Sequence, residues 1–236
     1  MAMIQMHDQA FTIENCLPKE MLDCLFNYAK STEDFKKAQE ASISGEVFYK
    51  FLSLSLRSKP YESNENLVKS INECHRVLFE ILKSKTSFPV LEEEYSGISL
   101  CSNYSMSYHA DAERPYCQKD RNLGVPNSSD NDGFLIPNKN EWQPNHTPSR
   151  IYTSLVYLND DFEGGETTMP TRNLHVKPKF GKMFAFPCSR DYIHGIRKNT
   201  GGVRVAFTAW YTLASKESDD KYGYKMPTCL ENKVSD

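Results

Sequence analysis

The chain has no apolar run near the roughly 20 residues that a membrane-spanning helix needs. Its start, MAMIQMHDQAFTIENCLPKEM, lacks the basic beginning and apolar stretch of a secretory leader. Both absences make a cytoplasmic protein the expectation. Basic charge is also short: 28 Lys and Arg stand against 31 Asp and Glu, a formal net charge of −3. With no Lys/Arg stripe interleaved with aromatics, neither a nucleic acid nor a membrane surface is expected as partner. The seven cysteines are odd in number and never spaced C-x-x-C. That excludes a zinc ribbon or a disulfide framework and reads as reduced thiols. No internal repeat is found. Asp160, Asp161 and Glu163 lack the spacing of an EF-hand, and with Gly164 and Gly165 behind them they read as a β-turn.

What is present suffices for a real core, since 39% of the 236 residues are hydrophobic and 12% aromatic. The first third reads as helical. PKEMLDCLFNYAK sets Met21, Leu22, Leu25 and Phe26 on one face behind Pro18, and NENLVKSINECHRVLFEILKS repeats Leu67, Ile71, Leu78 and Leu82. Between them EVFYKFLSLSLR alternates as a strand. From about residue 92 the period falls to two, through YSGISLCSNYSMSYHA, RIYTSLVYLND, GETTMP, NLHVKP, GKMFAFP and VRVAFTAWYTL. Many short strands, with helices gathered on one side, predict an α+β, mainly β fold. It is a double-stranded β-helix (jelly roll) backed by N-terminal helices. The whole of 1–236 is read as one domain, with helical support over about 1–90 and a jelly-roll core over about 92–214. The segment 112–149, rich in Pro, Asn, Asp and Ser, is long for a loop and reads as a lid.

His109 and Asp111 flank one small residue, Ala110, at the end of a predicted strand, where i and i+2 face the same way. Of the other histidines, His7 lies in the start, His75 on a helix flank, His146 in the long loop and His175 in an alternating strand. His194 is set apart by its downstream neighbours. Ten residues on, past an NTGG turn expected to fold a hairpin, comes Arg204, on one strand face with Ala206, Thr208 and Trp210. The other face, Val205, Phe207 and Ala209, is apolar and suits packing on helices. A guanidinium turned inward needs an anion, and a dicarboxylate held by one end supplies it. Two histidines and one carboxylate form the facial triad of non-haem iron oxygenases, which leaves positions for a 2-oxo acid and O2. Asp111 fills the place that a halide would need, so hydroxylation is expected over halogenation.

RIYTSLVYLNDDFEGGETTMP, HVKPKFGKMFAFP and HGIRKNTGGVRVAFTAWYTL, preceded by HAD, resemble the prolyl hydroxylase branch of the 2-oxoglutarate/Fe(II) dioxygenases. The likeness is nearest to the prolyl 3-hydroxylase (leprecan) catalytic domain, with prolyl 4-hydroxylases and lysyl hydroxylases on the same scaffold, and spans roughly 95–213. It implies Fe(II) on His109, Asp111 and His194, and the distal carboxylate of 2-oxoglutarate on Arg204, with Tyr157 and Thr208 beside it. O2 is the cosubstrate and ascorbate a supporting reductant. Trp210 matches a pocket position, and Arg190 and Tyr192, just before His194, are read as substrate residues. The family's Y-x-x-G-x-x-Y lead-in is missing, its positions held by Leu100, Asn103 and Met106, and HAD is followed by Ala112 and Glu113. The implied activity is hydroxylation of a prolyl residue in a peptide or protein. The alternatives are a free proline- or lysine-like amino acid or small natural product, and, from another class, a non-catalytic jelly-roll binding module.

Overall fold

The computed structural model describes residues 4–7, 9–55, 64–86, 91–115, 142–144, 147 and 149–213. The chain opens with β1 (Ile4–His7) and β2 (Ala10–Ile13), followed by α1 (Lys19–Lys30), α2 (Glu33–Ser44), β3 (Phe48–Ser53) and α3 (Glu65–Lys85). Then come β4 (Leu91–Ser102), β5 (Met106–His109), β6 (Glu113–Pro115), β7 (Trp142–Pro144) and β8 (Tyr152–Tyr157). The remaining strands are β9 (Glu163–Gly164), β10 (Thr167–Met169), β11 (Leu174–Val176), β12 (Met183–Pro187), β13 (His194–Ile196), β14 (Asn199–Thr200) and β15 (Arg204–Leu213).

Two sheets make the body. The large one runs β1-β2-β12-β8-β15-β4-β3 and the small one β11-β10-β13-β5. Alternation along β15 sorts its residues between two surroundings. Val205, Phe207, Ala209 and Tyr211 join the helices in one core, while Ala206 joins Leu155, Tyr157, Phe184 and Phe186 in a second core on the other face of the large sheet. The helices bury matching stripes: Leu22, Leu25 and Ala29 on α1, and Leu67, Ile71, Cys74, Leu78 and Leu82 on α3. Asn64 caps α3 by accepting the Leu67 N–H at 3.0 Å.

The jelly roll with helices on one side is as the periodicity indicates, but several details differ. Besides the expected strand between the helices, β3, which forms one edge of the large sheet, the N-terminal third holds two further strands, β1 and β2, which extend its other side. His7 therefore belongs to a strand. His75 is not on a flank: it is fully buried between α3 and the sheet, its ring 5.6 Å from Phe207. A further helix, α2, buries Phe35 and two small side chains, Ala38 and Ala41, and is capped by Thr32 and ended by Gly45 at φ 82°. The run from Tyr95 to His109 is two strands in different sheets, broken at Asn103, whose φ is 50°. The NTGG turn makes no hairpin between His194 and Arg204. β13 pairs with β5 and β10, whereas β15 pairs with β4 and β8, so the chain crosses from one sheet to the other. Of the expected lid, β6 and β7 form an antiparallel ribbon, while 116–141 lies outside the described residues.

Candidate active site

His109 ends β5 and His194 begins β13, and the antiparallel pairing of these strands places the two directly opposite. Their rings lie 4.4 Å apart, centroid to centroid. Asp111 is two residues past the end of β5 in the small sheet, in a bend rather than on the strand. Its Oδ1 is 3.6 Å from His109 Nε2 and its Oδ2 is 3.9 Å from His194 Nε2. Among the described residues, these three are the group whose ligand atoms could hold a metal ion, all within 4.8 Å of one another.

Each ring is oriented from behind. His109 Nδ1 lies 2.9 Å from the Ser107 carbonyl and His194 Nδ1 lies 3.1 Å from the Tyr192 carbonyl. A carbonyl only accepts, so both Nδ1 atoms carry the proton and both Nε2 lone pairs face Asp111. Phe186 packs on His194 at 4.5 Å between ring centroids. The Thr153 hydroxyl donates to Asp111 Oδ2 at 2.5 Å. Thr147 Oγ1 donates to the Asp111 carbonyl at 2.8 Å, and the Ala112 N–H donates to the Cys188 carbonyl at 3.1 Å.

Burial disfavours charge on all three ligands, and their mutual interactions decide the outcome. At His194 burial and then the charge of His109 outweigh Asp111, pulling the ring down to about 4. At His109 burial is outweighed by the hydrogen bond and charge of Asp111, and its pKa is raised. Burial would raise the Asp111 carboxyl, but His194, His109 and Thr153 together hold it well below the usual carboxylate range. The result is a charged carboxylate between two imidazoles, a donor set matched to a divalent cation.

Arg204 lies on the opposing sheet and is 1% exposed. Its Nε donates to the Gly165 carbonyl at 3.1 Å, and its guanidinium carbon is 5.1 Å from the centre of the Tyr157 ring. Among the described residues no carboxylate forms an ion pair with it. Burial raises the Cys101 thiol to about 11 although Arg204 opposes this, so the thiol beside the guanidinium is not an anion. Gly165 is required here. Its φ is +70°, and a Cβ would lie 3.0 Å from Arg204 Cδ.

Strand β8 connects the two ends of the site. Thr153, Leu155 and Tyr157 share its inner face, Thr153 holding Asp111 and Tyr157 lying beside Arg204. The span from Thr153 to Tyr157 is about 13 Å of strand. The floor of the site thus has a candidate metal-ligand set at one end and, at the other, a cation with no ion-paired carboxylate among the described residues.

Residues 103–212 match the model of the 2OG-Fe(II) oxygenase superfamily. That likeness covers somewhat less than half of the chain. The chain is 40% identical over 105 residues to prolyl 3-hydroxylase 2 of Rattus norvegicus, covering 41% of this chain and 15% of the rat protein. It therefore spans only a small part of the length of that relative. The collagen prolyl hydroxylase of Paramecium bursaria Chlorella virus 1, solved with 2-oxoglutarate, shares the fold with a TM-score of 0.54. The match has 17% identity and covers 88% of this chain and 97% of that one. A Trichoplax adhaerens prolyl hydroxylase, solved with a hypoxia-inducible-factor peptide fragment, shares it with a TM-score of 0.52. There the identity is 15%, with 92% and 88% of the two chains covered. The family implies Fe(II) and 2-oxoglutarate, and the residues present fit both. Two Nε2 lone pairs and a charged carboxylate suit the metal, and a buried cation with no partner carboxylate among the described residues suits the dicarboxylate.

The other expected site residues separate by depth. Tyr157 is fully buried, and its hydroxyl lies 2.9 Å from Thr167 Oγ1, bridging the two sheets. Thr208 is half-buried on the inner face of β15, in register with Leu155 and Gly97. Trp210 is half-buried near Phe51 and Tyr95, under the Arg150 guanidinium at 4.4 Å. Tyr192 is 4% exposed and covered by Arg172 at 3.9 Å, so its ring is packing and its carbonyl orients His194. Arg190 begins the same short 3-10 turn. Sequence reasoning missed Thr153, Cys188, Gly165 and Arg150. Thr153 had a usable signal, since it precedes Tyr157 by four positions on an alternating strand. Arg150, paired with Glu94 at 2.6 Å, comes after the long loop and had none.

Proposed function

We propose that this chain is an Fe(II)- and 2-oxoglutarate-dependent hydroxylase acting on a prolyl residue of a peptide or protein. The observation that carries the reading is the placement of the His109–Asp111–His194 set and the buried Arg204, a cation with no ion-paired carboxylate among the described residues, at the two ends of one strand face. Identity to prolyl 3-hydroxylase 2 supports the prolyl substrate.

His109, Asp111 and His194 would hold the iron. Bound there, the iron supplies the redox chemistry by which O2 and 2-oxoglutarate become succinate, CO2 and one new hydroxyl on the substrate. The chain does the rest. Arg204 grips the distal carboxylate through its terminal nitrogens, Nε being committed to Gly165, and so sets how far the cosubstrate reaches toward the ligands. The Ser107 and Tyr192 carbonyls keep the Nδ1 protons in place, so each ring presents a lone pair. Leu155, Phe184 and Phe186 exclude water from the floor. The His109 side chain is 31% exposed while His194 and Asp111 are closed off, so substrate approaches over His109.

The test is succinate formation from 2-oxoglutarate with Fe(II), screened over proline-rich peptides, free proline and free lysine. Turnover coupled to the peptides, with one oxygen added at proline, is the expected result. Coupling to a free amino acid would move the substrate to that class. No succinate with any of them, despite metal binding, would favour a binding module.

A further inference from the structure

We propose that Thr153, oriented by Cys188, is a positioning residue that engages Oδ2 of Asp111, so that the carboxylate would meet the metal through one oxygen. The inference rests on the metal reading of the triad but not on the identity of the substrate.

The argument is one of donors and acceptors. An ionised carboxylate only accepts hydrogen bonds, so the 2.5 Å contact between Thr153 Oγ1 and Asp111 Oδ2 consumes the single hydroxyl proton of Thr153. Cys188 Sγ lies 3.1 Å from the same Oγ1. With the hydroxyl proton spent, Oγ1 has only lone pairs left for the sulfur, so the thiol is the donor. The relay runs in one direction: Cys188 S–H to Thr153 Oγ1, and Thr153 O–H to Asp111 Oδ2. Each member is closed to water, with Thr153 2%, Cys188 1% and Asp111 6% exposed. Water cannot replace either bond without a rearrangement.

The backbone holds the relay in register. The Cys188 N–H donates to the Ile151 carbonyl at 2.9 Å, and the Cys188 carbonyl takes the Ala112 N–H. Cys188 therefore fastens the start of β8, which carries Thr153, to the bend that carries Asp111. A carboxylate with both oxygens free can close on a divalent cation in bidentate fashion and take two coordination positions. With Oδ2 engaged by Thr153, Asp111 would take one. The position so spared is needed by a site that must also admit a two-pronged cosubstrate and O2.

The experiment uses the full chain under anaerobic conditions with Co(II) as probe, read by calorimetry and by its visible absorption, which reports coordination number. Thr153→Val keeps the shape and deletes the donor. It should weaken Co(II) binding by about 10- to 100-fold and change the absorption band, while Thr153→Ser stays within about threefold of the parent. Cys188→Ser retains a donor and should behave as the parent; Cys188→Ala should weaken binding by a few fold. A merely structural threonine would lower the melting temperature without altering the Co(II) spectrum of the folded protein, and that result overturns the proposal. So does a Thr153→Ser that behaves like Thr153→Val. If Thr153→Val does not fold, the other variants decide: Thr153→Ser kept and Cys188→Ala weakened supports the relay, and any other pattern overturns it. Because the readout needs no substrate, a wrong prolyl assignment leaves this result intact.

Discussion

A guanidinium that is buried and has no carboxylate partner among the described residues is held at a cost that a bound anion removes. Arg204→Met is therefore expected to leave the ligand-free protein at least as stable, since an apolar chain of similar length replaces an uncompensated charge. The same change should weaken 2-oxoglutarate binding by about a hundredfold or more, the loss of a two-pronged charged contact. Metal affinity should be unchanged. Calorimetric titration of 2-oxoglutarate and of Co(II), beside a thermal melt, separates these effects. Gly165→Ala acts on the same side chain indirectly. It forces an L residue to φ +70° and sets a Cβ against Phe162 and Arg204. The expected outcome is a loss of about 1–3 kcal/mol of stability in a denaturant melt, with weaker 2-oxoglutarate binding and intact metal binding.

At the scale of elements, α3 carries a titratable group into the core beneath the site. His75 is fully buried, with Nε2 3.2 Å from Ser96 Oγ and Nδ1 without a hydrogen-bond partner among the described residues. Burial pulls its pKa down to about 3, so the folded protein refuses a proton that the unfolded chain accepts near 6.5. The stability it permits is fully present above about pH 6.5 and falls as the pH drops toward 3, by up to about 1.4 kcal/mol per pH unit. His75→Leu should remove that slope. The stability difference between variant and parent should grow by about 2 kcal/mol from pH 7 to pH 5, read from urea melts at the two values. The elements also differ in how visible they were. Helices α1 and α3 announce themselves through large aliphatic residues at helical spacing. Helix α2 hides because two of its three buried residues, Ala38 and Ala41, are small. Its Thr32 cap and terminal Gly45 were the available signals.

For the molecule as a whole, ligand linkage depends on where the two halves of the site sit. The metal ligands lie on and beside the small sheet, and Arg204 lies on the large one, so 2-oxoglutarate bridged to a metal would join the two sheets. Metal and 2-oxoglutarate together should raise the melting temperature, by an increment corresponding to about 2.7 kcal/mol for each ligand, about 5.4 kcal/mol for both, when each free ligand stands at 100 times its Kd. A chelator should return the melt to that of the ligand-free protein. Asp111→Asn should abolish the metal-dependent part of the shift. A shift of full size in that variant would place the cation elsewhere.

The ligand types were legible in the chain because chemistry restricts them: few residues bind a divalent metal, and an arginine ten residues past a histidine on an alternating strand implies an inward charge. The jelly roll was legible for a similar reason, since a period of two between Gly- and Asn-rich turns leaves few ways to bury one face. Which sheet each strand joins was not legible. His109 and His194 meet because β5 and β13 pair across 85 positions of sequence, and the turn after His194 leads into the other sheet instead of back along the same one. The support of Asp111 by Thr153 and Cys188 is likewise a product of that folding. Local sequence sets which side chains alternate and which can bind. Only long-range strand pairing and burial decide which of them share a face, which lose water, and hence which act together.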